Sequence, residues 1–245
     1  MTAPAVRFYF SFRSPFAAIA WHRLRRAPQL EGVPIEPLPV WPAIIFGGHM
    51  DNPTDNYFKM AYMFGDAARQ AELAGLDARQ FRELAKRFPL PHDVDYRREK
   101  VGLKLPEERW EMPHTAYLFA ERAGLGWTFA EAVFVRRFNL DGCGAADVLD
   151  PAVVEEIADQ VGLDGRAAVA AHASGEFDDR QRQIVAASER DGVFGVPFFV
   201  LERDGTRQSF WGNDRIEHLL RALAGADQLP VIPKELLREV QPDRR

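Results

Sequence analysis

The alternation of apolar and polar positions divides the chain into a strand-like opening, a long helical middle and a strand-like return. Val6-Arg7-Phe8-Tyr9-Phe10 is aromatic and β-branched and unbroken by Gly or Pro, the pattern of a buried strand. Ser11-Phe12-Arg13-Ser14-Pro15 then supplies turn residues, a hydroxyl at an N-cap position and a proline where a helix begins, which predicts a helix over 15–26. Ser14 therefore stands beside unpaired N–H groups and the positive end of a helix dipole, a position suited to an anion. The proline-rich segment 33–40 predicts a second strand, a poor central one. The right-handed crossover rule sets it parallel to the first.

From about residue 55 to 190 the period is helical, with glycine stops. It predicts helices over 57–74, 78–88, 114–123, 128–139, 153–161, 165–172 and 178–191, with a breaker-rich loop at 46–54 and a proline- and charge-rich link at 90–113. Gly192-Val193-Phe194-Gly195-Val196-Pro197 leads into a second apolar strand headed by Pro197. Residues 198–201 and 208–211 around Asp204-Gly205 read as a hairpin. Asn213-Asp214 reads as the cap of a last helix over 215–224.

The 245 residues are 47% hydrophobic and 27% charged, with a net charge of −5. This is a globular composition without the basic face that a nucleic-acid binder carries. No apolar run approaches the roughly 20 residues of a membrane span, and residues 1–6 do not resemble a secretory signal, so none is expected. One cysteine, Cys143, excludes an internal disulfide and fits a reducing, cytoplasmic setting. It also excludes dithiol redox chemistry, which needs paired thiols. A Ser-His-Asp hydrolase finds no GxSxG elbow. None of the six histidines can be assigned as a base for Ser14, and no metal-ligand spacing occurs.

A strand, an active residue at a helix start, a long gap and a Gly-Val-Pro strand together resemble the thioredoxin superfamily. The wording of residues 8–16, of 192–197 and of Phe210-Trp211-Gly212-Asn213-Asp214-Arg215-Ile216 is similar to the 2-hydroxychromene-2-carboxylate isomerases and kappa-class glutathione transferases, relatives of the DsbA-type oxidoreductases. The resemblance covers essentially the whole chain. It implies an α/β, thioredoxin-like fold of the DsbA type with a large all-helical insertion. Residues 1–41 and 191–226 would form the thioredoxin-like part, 42–190 the insertion and 227–245 a tail.

Read alone, Ser14 is an N-cap worth about 1 kcal/mol. The resemblance implies a further role: Ser14 bonds the sulfur of bound glutathione, or another small thiol, and keeps it ionised for addition to a small aromatic substrate. It further implies a cis bond at Val196-Pro197 that leaves the Val196 backbone open to the cysteinyl part of glutathione. Asp214 would pair the γ-glutamyl ammonium, Asn213 would hold its carboxylate, and Asn52 and Lys59 would approach from the insertion; Asn52 reads equally as a turn residue before Pro53. Arg13 departs from the family pattern; a guanidinium there is either solvated and inert or placed to bind a substrate carboxylate, with His49 or His114. Trp41, Trp211 and Phe16 read either as core aromatics, the commoner use, or as an aromatic wall of the site. The expected activity is a glutathione-dependent isomerisation, with a kappa-like transferase or peroxidase and a non-catalytic binding protein as alternatives. Dimers are common in the family, so a homodimer is a further expectation, with no nucleic-acid or membrane partner.

Overall fold

The computed structural model describes residues 4–40, 57–86 and 110–225. Strand β1 is Ala5–Phe10, helix α1 Pro15–Arg25 and strand β2 Ile35–Pro39. Helices α2 (Tyr57–Leu73), α3 (Arg79–Lys86), α4 (Glu111–Arg122), α5 (Gly126–Phe138), α6 (Pro151–Gln160), α7 (Gly165–Ser174) and α8 (Asp178–Arg190) follow. Strands β3 (Phe198–Arg203) and β4 (Thr206–Trp211), a 3₁₀ turn Asn213–Arg215 and helix α9 (Ile216–Leu223) end the described chain. The loop at 46–54, most of the link at 90–113 and the tail at 227–245 lie outside the described residues.

The sheet order is β2-β1-β3-β4, with β2 parallel to β1 and the other neighbours antiparallel. This explains the prolines of β2. Pro37 and Pro39 occupy an edge strand, where a missing N–H breaks no ladder on the open side. The hairpin is two residues longer on each arm than its apolar runs suggest, because Glu202↔Arg207 and Arg203↔Thr206 continue the pairing up to the turn. Asp204 and Gly205 both take positive φ (49° and 75°), as a two-residue hairpin turn of right-handed twist requires.

Strand β1 is central, and its alternation sorts its two faces. Val6, Phe8 and Phe10 face one way and are at most 1% exposed. Phe8 stacks on Phe199 at 5.0 Å, and Phe10 meets Trp21 and Tyr117, each at 5.0 Å. Each such pair contributes about 0.5–1.5 kcal/mol beyond its buried area. Arg7 and Tyr9, on the other face, reach Asp191 at the end of α8. One apolar core runs from the sheet and α1 into α4, α5 and α6, taking in Phe12, Phe129, Phe134 and Ile157.

Several boundaries differ from the periodic reading by a few residues, and two of the differences have a local cause. Helix α4 begins at Glu111, so the last residues of the expected link are helical. Pro113 lies in the first turn, where an absent N–H costs no helical bond. At the other end, Asn213 and Asp214 do not cap a helix starting at residue 215. They open a 3₁₀ turn entered through Gly212, and neither α9 nor that turn has a side-chain cap bond.

Candidate functional site

Ser14 carries the extended backbone of an N-cap (φ −85°, ψ 119°), and its Oγ accepts the Ala17 N–H at 3.1 Å. Pro15 has no N–H to satisfy. The Phe16 N–H, also in the first turn, has no partner among the described residues. The half-buried hydroxyl donates its hydrogen to the Val196 carbonyl at 3.3 Å, across 182 residues of sequence. That bond is long and weak, so the hydrogen can turn to a better acceptor. The Val196-Pro197 peptide bond is cis. The Pro197 carbonyl accepts the Gly212 N–H at 2.9 Å, tying this loop to the end of β4. The expectation of an open Val196 backbone is thus corrected at its carbonyl, which Ser14 occupies.

Trp211, 55% exposed, packs edge-on against Phe194, 49% exposed, with ring centroids 4.9 Å apart. Gly195 lies beneath them: a Cβ there would come within 2.6 Å of the indole Nε1, so glycine lets the ring close over the loop. Phe194 was not singled out from sequence, although its position beside the Gly-Val-Pro stretch is the signal that marks it.

Asn213 is 3% exposed, and its Nδ2 donates to Gln70 Oε1 at 3.4 Å, while Arg23 donates to its backbone carbonyl. It is held as a core polar group, whereas a ligand-holding amide was expected. Asp214 is exposed, with its carboxylate over Gly212 and 3.4 Å from Arg215. Lys59 is exposed on the first turn of α2. Two turns on, Asp66 and Arg69 form a surface pair at 3.1 Å. Asn52, His49 and Trp41 lie outside the described residues. Arg23 and Gln70, which support the Asn213–Arg215 turn, carry no local sequence signal.

Arg13 is half-buried beside Ser14, and its N–H donates to Ser11 Oγ at 3.2 Å. The pairing of Arg13 with His114 toward a substrate carboxylate is corrected. His114 is wholly buried, and its two ring nitrogens contact the Trp110 carbonyl and the Phe12 N–H. Burial, with the nearby Arg137 charge, lowers its pKa to about 4 against the opposing pull of the Trp110 carbonyl, so the ring is neutral near pH 7. Cys143 is exposed in a loop, where its N–H bonds Asp141. No cluster of metal-ligating side chains occurs among the described residues.

A hydroxyl at a helix start facing a cis-proline loop is therefore built on a sheet of thioredoxin type. The family model described as a DSBA-like thioredoxin domain matches residues 5–224. A 2-hydroxychromene-2-carboxylate isomerase of Pseudomonas sp. (strain C18) is 31% identical over 229 residues, 90% of this chain and 91% of that protein. The chain belongs to the DSBA-like thioredoxin family, on its isomerase branch.

Solved structures agree on this fold. A 2-hydroxychromene-2-carboxylate isomerase superposes with a TM-score of 0.60 at 22% identity, covering 91% of this chain and 100% of its own. The cytosolic disulfide reductase DsbM from Pseudomonas aeruginosa, solved with GSH, gives 0.56 at 18% identity, covering 96% and 99%. As a DSBA-like protein this chain is an isomerase-type enzyme that carries Ser14, and no cysteine, at the start of α1. Among the described residues no helix is long and apolar enough to cross a membrane.

Proposed function

We propose that this protein is a glutathione-dependent isomerase of the 2-hydroxychromene-2-carboxylate type, working in the cytoplasm. One observation carries the reading: the Ser14 hydroxyl stands at the N-terminus of α1 with its hydrogen on a weak, exchangeable bond to Val196. The residues suit a small thiol. A hydroxyl donor, a helix dipole and a Phe16 N–H that has no partner among the described residues all belong to the start of α1, where a sulfur anion would be stabilised. When bound, the thiol supplies a nucleophile that adds reversibly to the conjugated system of an aromatic substrate and leaves after bond rotation, so no redox equivalent is consumed.

Ser14 shifts its hydrogen from the Val196 oxygen to the sulfur and holds the charge there. It takes no proton itself. Val196 keeps its N–H toward the peptide part of the thiol in the manner of a strand edge, while Asp214 and Lys59 supply charges for its termini. Trp211 and Phe194 present an apolar aromatic face to the substrate ring.

The test is an ultraviolet titration of glutathione mixed with the protein and with Ser14→Ala. The wild type is expected to lower the thiol pKa by about two units, and the variant to lose that shift. Equal titration curves would overturn the reading. Disappearance of glutathione in proportion to product would replace it with a transferase.

A further inference from the structure

Two of the hydrogen bonds of the turn that carries Ser14 are made within it. The Ser14 N–H donates to the Ser11 carbonyl at 3.0 Å, and the Arg13 N–H donates to Ser11 Oγ at 3.2 Å. Bonds of this kind shape a turn but do not aim it. Phe12, between these residues, is fully buried, and its N–H belongs to neither β1 nor α1. It donates to Nε2 of His114, 102 residues away on the first turn of α4, at 3.1 Å.

The chemistry of the two partners sets the tautomer. A backbone N–H can only donate, so Nε2 carries the lone pair; a carbonyl can only accept, so Nδ1 carries the hydrogen and gives it to Trp110 at 2.6 Å. The imidazole is thus a fixed two-ended bridge from the helical segment to the turn. Its ring also packs against Phe12 at 5.0 Å and Phe10 at 6.5 Å, so the grip is on backbone and side chain together. Among the described residues, Arg137 of α5, stacked 4.3 Å over the Trp110 ring, is a charged group that acts on it.

We propose that His114 is a positioning residue, a buried acceptor supplied by α4 that orients the Ser11–Ser14 turn and so aims the Ser14 hydroxyl. The proposal deepens the thiol-site reading and rests on it for its chemical consequence. Removing the acceptor leaves the Phe12 N–H buried without a partner, which the turn relieves by rotating that group toward solvent. Ser14, two residues on, moves with it. Burial keeps the imidazole neutral down to about pH 4, so the bridge stays intact over the range in which a thiol titrates.

The test uses His114→Gln, whose Oε1 can stand near the Nε2 position and accept from Phe12, and His114→Asn, whose shorter amide cannot reach it. His114→Leu removes both polar ends. Three measurements are made well below each variant's melting temperature: hydrogen exchange at the Phe12 and Ser14 amides, the pKa of added glutathione, and kcat and KM with a hydroxychromene carboxylate. For Asn and Leu we expect loss of protection at both amides, a thiol pKa moved toward that of Ser14→Ala, and kcat lower by at least about tenfold with a smaller change in KM. Gln is expected to restore most of each. A merely space-filling histidine would lower the melting temperature in all three and leave protection, thiol pKa and kcat at wild-type values, and that result would overturn the proposal. If glutathione titrates normally with the wild-type protein, the thiol reading fails on its own, and amide protection alone decides for or against the bridge.

Discussion

Arg7 donates to Asp191 through Nε at 2.6 Å and a terminal nitrogen at 3.1 Å, joining the central strand to the end of α8 across 184 residues. The Tyr9 hydroxyl donates to the same carboxylate at 2.7 Å, and Arg207 of β4 lies 3.2 Å from it. The Asp191 side chain is only 4% exposed. Three elements are therefore pinned at one carboxylate, at the chain position where the helical region gives way to the returning strands.

Asp191→Asn is expected to lower unfolding stability by about 2–3 kcal/mol, because Arg7, Tyr9 and Arg207 lose a charged partner in a poorly solvated place. Burial raises the Asp191 pKa, but bonds from Arg7 and Tyr9 outweigh it and hold the group below the ordinary carboxylate range. The native state therefore binds its proton less readily than the unfolded chain. This stabilisation is complete above about pH 4, the unfolded value, and is lost as pH falls through the lower native one. Denaturant melts at pH 7 and pH 3 check it: the gap between wild type and variant should shrink at acid pH.

Gly212 enters the 3₁₀ turn at φ +107° and ψ 150°, a region open essentially only to glycine. A Cβ there would collide with the Asp214 carboxylate. Gly212→Ala should cost about 1–3 kcal/mol and displace Asp214. The checks are a thermal melt and the KM for glutathione, which should rise while kcat changes less.

Arg23 holds this turn from the far end of α1, donating to the Asn213 carbonyl and to Glu217. Arg23→Met keeps the stem and removes both bonds. An expected stability loss of about 1–2 kcal/mol, with glutathione affinity reduced several-fold, is measurable by calorimetry. Glu217→Gln alone, at an exposed partner, should stay within about 0.5 kcal/mol of wild type.

Ser14→Ala separates two roles of one side chain. As a cap it should cost about 1 kcal/mol in unfolding, while replacement by Asp restores the cap and places a negative charge where a thiolate must sit. Ser14→Asp is therefore expected to fold at least as well as Ser14→Ala and yet show weaker thiol binding. Equal thiol affinity in the two would count against an anion site at this helix start.

Sequence alone determined the elements whose signals are local. The aromatic run of β1, the Ser14-Pro15 helix start, the Asp204-Gly205 turn and the glycine-stopped helices are set by backbone sterics and by periodicity within a few residues. Packing between distant segments decided the rest. The prolines of β2 made sense once the sheet order put that strand on an edge. Asn213, placed like a solvent-facing cap, is buried because Arg23 and Gln70 reach it from 190 and 143 residues away. His114 sits in a stretch whose local pattern says only helix or link, and Asp191 reads as an ordinary helix terminus. What each does depends on which N–H, hydroxyl or guanidinium arrives opposite it, and partners separated by a hundred residues or more meet only when the whole core closes.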